Sequence, residues 1–95
     1  MRFEWDEAKS RSNKAKHGVS FELACEIWLD PNHVIFEDRT STFEERWNAV
    51  GLVGGQFILI AVHTYRGDQD DIVRIISARK ATPHERRRYQ ERNYG

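Results

Sequence analysis

The stretch Asp71-Ile-Val-Arg-Ile-Ile-Ser-Ala-Arg-Lys80 decides the fold. Simple alternation puts Val73, Ile75 and Ser77 on one face of an extended strand and Arg74, Ile76 and Ala78 on the other. Apolar residues on both faces mark a strand interior to its sheet. Two arginines and a lysine fall within its last seven residues. A buried guanidinium without an anionic partner is very costly. The partner is either a carboxylate of this chain or a phosphate brought from outside. In a regular strand Arg74 and Arg79 lie on opposite faces, so one site takes both only through a twist or a bulge. One of them then pairs with an acidic residue such as Glu44 or Glu45, and the other is free for phosphate. Arg79 is preferred for phosphate because it ends the strand, with Ser77 on its face. Arg74 follows closely.

Upstream, Arg66–Asp70 reads as a loop. Gln56–Tyr65 holds the most apolar run of the chain, Phe57-Ile-Leu-Ile-Ala-Val62, and reads as the central strand. Gly54-Gly55 is a hairpin signal joining it to a strand over Glu44–Val53. A polar turn over Arg39–Phe43 leads back to a strand over His33–Asp38. Before that, Asp6 caps a polar helix over Glu7–His17 that Gly18 stops. This helix has only a narrow stripe to bury, lies on the surface, and packs through Trp5 together with Ala8 and Ala15. Ser20 caps a second helix over Phe21–Leu29, with Phe21, Ala24, Cys25 and Trp28 at helical spacing, ended by Asp30-Pro31. Met1–Trp5 is short and extended, with Phe3 and Trp5 on one face. Downstream, Thr82-Pro83-His84-Glu85 has capping-box spacing with proline at the first helical position, and opens a basic helix. The expected architecture is α+β in two layers: two N-terminal helices, an antiparallel sheet of about four strands and a C-terminal helix.

Ninety-five residues, 39% of them apolar with 11 aromatics, make one domain over residues 1–95. No apolar run approaches the ~20 residues of a membrane helix, and no secretory signal opens the chain. One cysteine, Cys25, excludes an internal disulfide, and a cytoplasmic location without membrane contact is the simplest expectation. The net charge is zero, with basic ends and an acidic middle: residues 21–50 carry two basic and seven acidic groups, residues 73–95 seven basic and two acidic. That balance speaks against indiscriminate nucleic-acid binding and leaves room for one basic groove.

In order along the chain stand Phe3-Glu-Trp-Asp6, Lys9, Asn13, Lys16-His-Gly-Val-Ser-Phe21, Asp30-Pro31, Glu45-Arg-Trp47, Gly51, Gly55 and Arg74-Ile-Ile-Ser-Ala-Arg-Lys-Ala81. Together, over essentially the whole chain, they resemble the BrnT family of type II toxin–antitoxin systems. The resemblance implies a fold similar to the RelE-type toxins and a ribonuclease activity that blocks translation. It also implies a BrnA-type antitoxin with a ribbon-helix-helix part, and a complex that binds operator DNA and represses its own operon.

RNA cleavage without a metal needs a base for the 2′-hydroxyl proton, cations for the charge developing on phosphorus and an acid for the leaving 5′-oxygen. No metal-ligand spacing is visible among the scattered histidines or in Asp68, Asp70 and Asp71, and no cofactor motif is present. His17 is the proton-transfer candidate, although a cation there also complements the helix dipole. Arg66, Arg74 and Arg79 are the phosphate candidates. Glu85 and Tyr89, four apart on the last helix, are weaker catalytic candidates. Lys16, Lys80, Arg86 and Arg87 are candidate RNA contacts, although an arginine run is more often a solvated face. His63 reads as a satisfied histidine rather than a rim group, and Trp5, Trp28 and Trp47 read as core. The same residues also fit a module that only holds RNA or a partner and acts as corepressor with its antitoxin.

Overall fold

The structure, a computed structural model, describes residues 1–40 and 44–94. Its strands are β1 (Arg2–Glu4), β2 (Val34–Asp38), β3 (Arg46–Val53), β4 (Phe57–Arg66) and β5 (Ile72–Lys80). Its helices are α1 (Glu7–His17), α2 (Phe21–Ala24), which continues as a 3-10 segment over Cys25–Leu29, and α3 (Pro83–Tyr94). Of the polar turn expected over Arg39–Phe43, residues 41–43 lie outside the described residues.

The five strands form one sheet in the order β1-β5-β4-β3-β2. β2 through β5 pair antiparallel, and β4 is the middle strand, as its apolar run requires. The expectation of four antiparallel strands is corrected at one edge. β1 pairs parallel with β5 through Arg2–Ile72, Phe3–Val73 and Glu4–Arg74. A three-residue strand has no period of its own to read, and this pairing joins segments about seventy residues apart. The two-layer expectation is corrected as well, because helices pack on both faces. On one face α2 and the 3-10 segment bury Phe21, Ala24 and Ile27 against Ala49, Leu59, Ala61, Val73, Ile75 and Ala78. Each large apolar side chain so buried stabilises the fold by about 1.5–3 kcal/mol. On the other face Tyr89 of α3 packs on Val50 and Ile60, flanked by Val34, Phe36, Ile58 and Ala81. α3 covers only that end of its face.

The turns follow local chemistry. Gly54 and Gly55 both have positive φ, 62° and 67°, and Gln56 N–H donates to the Val53 carbonyl at 3.2 Å, closing the β3–β4 hairpin. Thr82 and Glu85 form the reciprocal capping box at the start of α3. The helix expected over Phe21–Leu29 tightens after Ala24 into 3-10 geometry. At three residues per turn, the buried Phe21, Ala24 and Ile27 fall in one line against the sheet. The 3-10 segment lies so close to β3 that a Cβ at Gly51 would meet the Ile27 carbonyl oxygen at 3.1 Å.

α1 departs from its expected packing. Ala8 and Ala15 are exposed, and the buried residues are Ser10 and Asn13. Ser10 Oγ accepts from Phe21 N–H at 3.0 Å. Asn13 Nδ2 donates to the carbonyls of Val19 and Ala78, both at 2.7 Å, and Asn13 Oδ1 accepts from Ala78 N–H at 3.2 Å. Asn13 thus stands in for a neighbouring strand where β5 runs past the end of β1. α1 is held by hydrogen bonds rather than by an apolar stripe.

Candidate functional site

The organising strand is not regular. Val62 pairs with Ser77 and His63 with Ile75, so Ile76 is an extra residue on β5. This bulge reverses the alternation. Val73, Ile75 and Ala78 face the α2 core, while Arg74, Ser77 and Arg79 point together to the α3 side. The two arginines that a regular strand would separate therefore share a face.

The register extends that face across the sheet. Glu4 of β1 lies beside Arg74, which lies beside Thr64 of β4, with Arg66 further along β4. Ser77, Val62 and Asn48 form a second row, and Arg46 ends β3 on the same side. Beyond the part covered by α3, this face is a polar floor crossed by arginines.

Their partners sort the arginines. The Arg79 guanidinium donates from Nη1 to Glu85 Oε1 at 2.7 Å and from Nη2 to Oε2 at 2.9 Å, a closed fork. Glu85 also accepts the Thr82 N–H of its capping box at 2.8 Å. The Arg79 bond, with help from Thr82 and against the effect of burial, holds the Glu85 carboxyl below the usual carboxylate range. Arg66 and Arg74 are arranged differently. Arg66 Nε lies 3.3 Å and Arg74 Nη1 3.4 Å from the same oxygen, Glu4 Oε1. Two cations share one carboxylate and leave an excess positive charge, and most of their N–H donors have no partner among the described residues. The arginine pairing expected with Glu44 or Glu45 is thus made elsewhere, by Glu4 with Arg74 and by Glu85 with Arg79. Glu44 instead pairs with Arg46 at 3.3 Å.

His17, at the end of α1, lines a small cleft of about 240 Å³ at the β5 edge with Lys9, Ser12, Asn13, Lys16, Ile76 and Ser77. Ser77 belongs to both this cleft and the arginine face, so the bulge brings the two together. Tyr89 is buried, and its hydroxyl donates to Asp30 Oδ2 at 2.6 Å. Asp30 also accepts from the N–H groups of Leu52 and Asn32. Burial opposes ionisation of Asp30, but these hydrogen bonds outweigh it and keep the carboxyl below its ordinary pKa. Tyr89 therefore sits where α3 is fastened to the sheet. Arg86 and Arg87 are exposed on α3, and Lys80 lies on the opposite sheet face with its ammonium 4.6 Å above the Phe57 ring.

His63 faces the α2 core and is fully buried, with the Trp28 ring 5.0 Å away. Its Nδ1–H donates to the Ala61 carbonyl at 3.3 Å, because a carbonyl can only accept. Nε2 of the neutral ring then accepts from the Tyr65 hydroxyl at 3.2 Å. Burial pushes its pKa down to about 4, so it is neutral near pH 7. Trp5 packs on Phe21, Trp28 on Phe3 and Trp47 on Tyr65. Burial, and then Glu22, raise the Cys25 thiol to about 11, so it stays protonated.

The reading from sequence passed over Glu4, Asn13 and Asn48 as site or anchor residues. A signal existed for Glu4: with Phe3 and Trp5 on one face, Glu4 must point to the other. Nothing local announces that its neighbour there is Arg74.

A family model described as the ribonuclease toxin BrnT of type II toxin–antitoxin systems matches residues 5–85. Among solved structures, the crystal structure of the Brucella abortus ribonuclease toxin BrnT is similar to this chain, with 31% sequence identity and a TM-score of 0.67. That match covers 86% of this chain and 97% of the Brucella one. No curated protein sequence matches significantly. The family model spans most of the chain and the structural match covers 86% of it, so the chain belongs to the BrnT family of type II toxin–antitoxin toxins.

Proposed function

We propose that this protein is an endoribonuclease toxin that cleaves RNA without a metal and so inhibits translation. The observation that carries the reading is the pair Arg66 and Arg74, held on one oxygen of Glu4 with excess positive charge on an open sheet face. A phosphodiester placed there meets planar donors from two directions. The 2′-oxygen attacks phosphorus, its proton passes to a base, and the P–O5′ bond breaks as an acid protonates the leaving oxygen. Glu4 lies between the arginines, where the base is needed, and His17 stands across Ser77 as the acid. The Arg79–Glu85 fork flanks the site at the head of α3, and Lys16, Arg86 and Arg87 extend the contact with RNA. Tyr89 serves by seating α3. Among the described residues no three His, Cys, Asp or Glu side chains converge as a metal site would need. The helix-flanked sheet with its basic face also fits the RelE-like reading.

Family membership supports an antitoxin partner. We take it to be a BrnA-type ribbon-helix-helix protein that covers the arginine face and carries the pair to operator DNA. We take the site of action to be cytoplasmic, where RNA and translation are; among the described residues no helix is long and apolar enough to cross a membrane.

The test is cleavage of a labelled RNA by the purified protein in EDTA, beside Arg74→Ala and Arg66→Ala variants of verified fold. Each substitution is expected to lower the rate by about 100-fold. Cleavage by both variants at the parental rate refutes the assignment of the phosphate to this pair.

A further inference from the structure

A second cleft, of about 490 Å³, lies on the same sheet face beside α3 and is lined by Phe36, Glu37, Asp38, Arg39, Asn48 and Arg88. The Arg88 guanidinium lies 4.0 Å over the Phe36 ring. This stack fixes a flat cationic plate with an aromatic backing. Next to it Asn48, the register partner of Phe36, makes no side-chain hydrogen bond among the described residues. Asp38 spends Oδ1 on Thr40, accepting from its N–H at 3.0 Å and from its hydroxyl at 2.6 Å. That arrangement leaves the other carboxylate oxygen, Oδ2, for a further donor.

We propose that this cleft is a nucleobase subsite that selects unpaired bases carrying an exocyclic amino group. The base stacks on the outer face of the Arg88 guanidinium, as bases do on arginine planes in single-stranded RNA recognition. The Asn48 amide offers a donor and an acceptor side by side, matching the ring nitrogen and amino group of adenine or cytosine. Asp38 accepts from the second amino hydrogen, or from the N–H groups of guanine. Uracil offers its single ring N–H and one carbonyl oxygen to Asn48 but has no amino group, so a carbonyl oxygen rather than a donor faces that carboxylate and uracil is disfavoured. The inference rests on the ribonuclease reading for the nature of the polymer. Asn48 and Ser77 share one row two strand spacings apart, roughly 10 Å, and Arg74 and Arg66 follow in the next rows on the same face, so one RNA strand can run across both this subsite and the arginine pair. An apolar ligand would leave the amide and carboxylate unpaired, and the flat guanidinium plate over Phe36 matches a planar ring, which is why a base is favoured.

The experiment measures fluorescence anisotropy of labelled 2′-O-methyl tetranucleotides of A, C, G and U, which cannot be cleaved through the 2′-oxygen. Cleavage of the matching ribo-oligonucleotides is followed in parallel. The parent is expected to bind the A, C and G oligomers about tenfold more tightly than U. Asn48→Ala, with Asn48→Ser as a second variant should alanine disturb the sheet, is expected to erase the preference of A and C over U. U binding should stay as it was. Arg88→Ala, at an exposed helix position, is expected to weaken every oligomer by about tenfold. Equal parental affinity for all four, or a preference that survives both Asn48 variants, overturns the subsite. Cleavage without base preference removes the subsite and keeps the ribonuclease reading. Preference without cleavage keeps the subsite and removes the ribonuclease reading. Absence of both binding and cleavage removes both.

Discussion

Acidification from pH 7 toward pH 4 is expected to strip about 3 kcal/mol from the stability of this protein through His63 alone. The ring is fully buried beside Trp28, and both its nitrogens are satisfied in the neutral form by Ala61 and Tyr65. Burial lowers its pKa from 6.5 to about 4, while the Ala61 hydrogen bond works the other way. In the unfolded chain the ring titrates near its ordinary value. Between those two values the unfolded state binds a proton that the folded state refuses, so stability falls as pH falls. Above about pH 6.5 the contribution is fully present, and below about pH 4 the loss is complete. The difference of about 2.5 pKa units gives the figure above at about 1.4 kcal/mol per unit, and from pH 6.5 to 5.0 the loss is roughly 1.5 kcal/mol. Asp30, Asp38 and Glu85 also have lowered pKa values. Their losses begin at lower pH, where carboxylates titrate, so the window from 6.5 to 5 isolates the histidine. Urea unfolding at several pH values in that window, on the parent and on His63→Phe, measures it. The parent is expected to lose about 1 kcal/mol per pH unit there and the variant much less. Equal pH slopes, or a His63 imidazole resonance, assigned by its loss in His63→Phe, titrating near 6.5 in the folded protein, refute the reasoning.

Two further predictions concern the supports of the site. Asn13→Ala leaves the Ala78 N–H and two buried carbonyls without their side-chain partners and is expected to cost roughly 2–5 kcal/mol. Amide exchange at Ala78 should accelerate with it, and unchanged protection there would show that α1 is held by other contacts. Gly51→Ala drives a methyl to 3.0 Å from Ile27 Cγ2 and 3.1 Å from the Ile27 carbonyl oxygen, a backbone atom with little freedom to give way. It is expected to cost about 1–3 kcal/mol in thermal unfolding, and a variant as stable as the parent would mean that the 3-10 segment moves freely off β3.

The sequence by itself determined whatever is set within a few residues. Asp6, Ser20 and the Thr82–Glu85 box start their helices because each side chain reaches an N–H two or three residues on. Gly54-Gly55 closes its hairpin because both positions need positive φ. The apolar run of β4 sits mid-sheet because only there are both its faces covered. The arginines of the site were legible as residues that demand anions, and the family as a pattern of motifs. Tertiary structure alone decided which anions they meet. The single extra residue at Ile76 rotates Ser77 and Arg79 onto the face of Arg74, and no local preference marks that position as a bulge. β1 enters the sheet and delivers Glu4 to Arg66 and Arg74 from the other end of the chain. α1 is fixed through Asn13 to Ala78, 65 residues away, although its apolar pattern pointed to the alanines. Propensity and periodicity act over a turn or a strand. The pairing of distant segments is settled by which arrangement buries the core and satisfies nearly all the buried polar groups together.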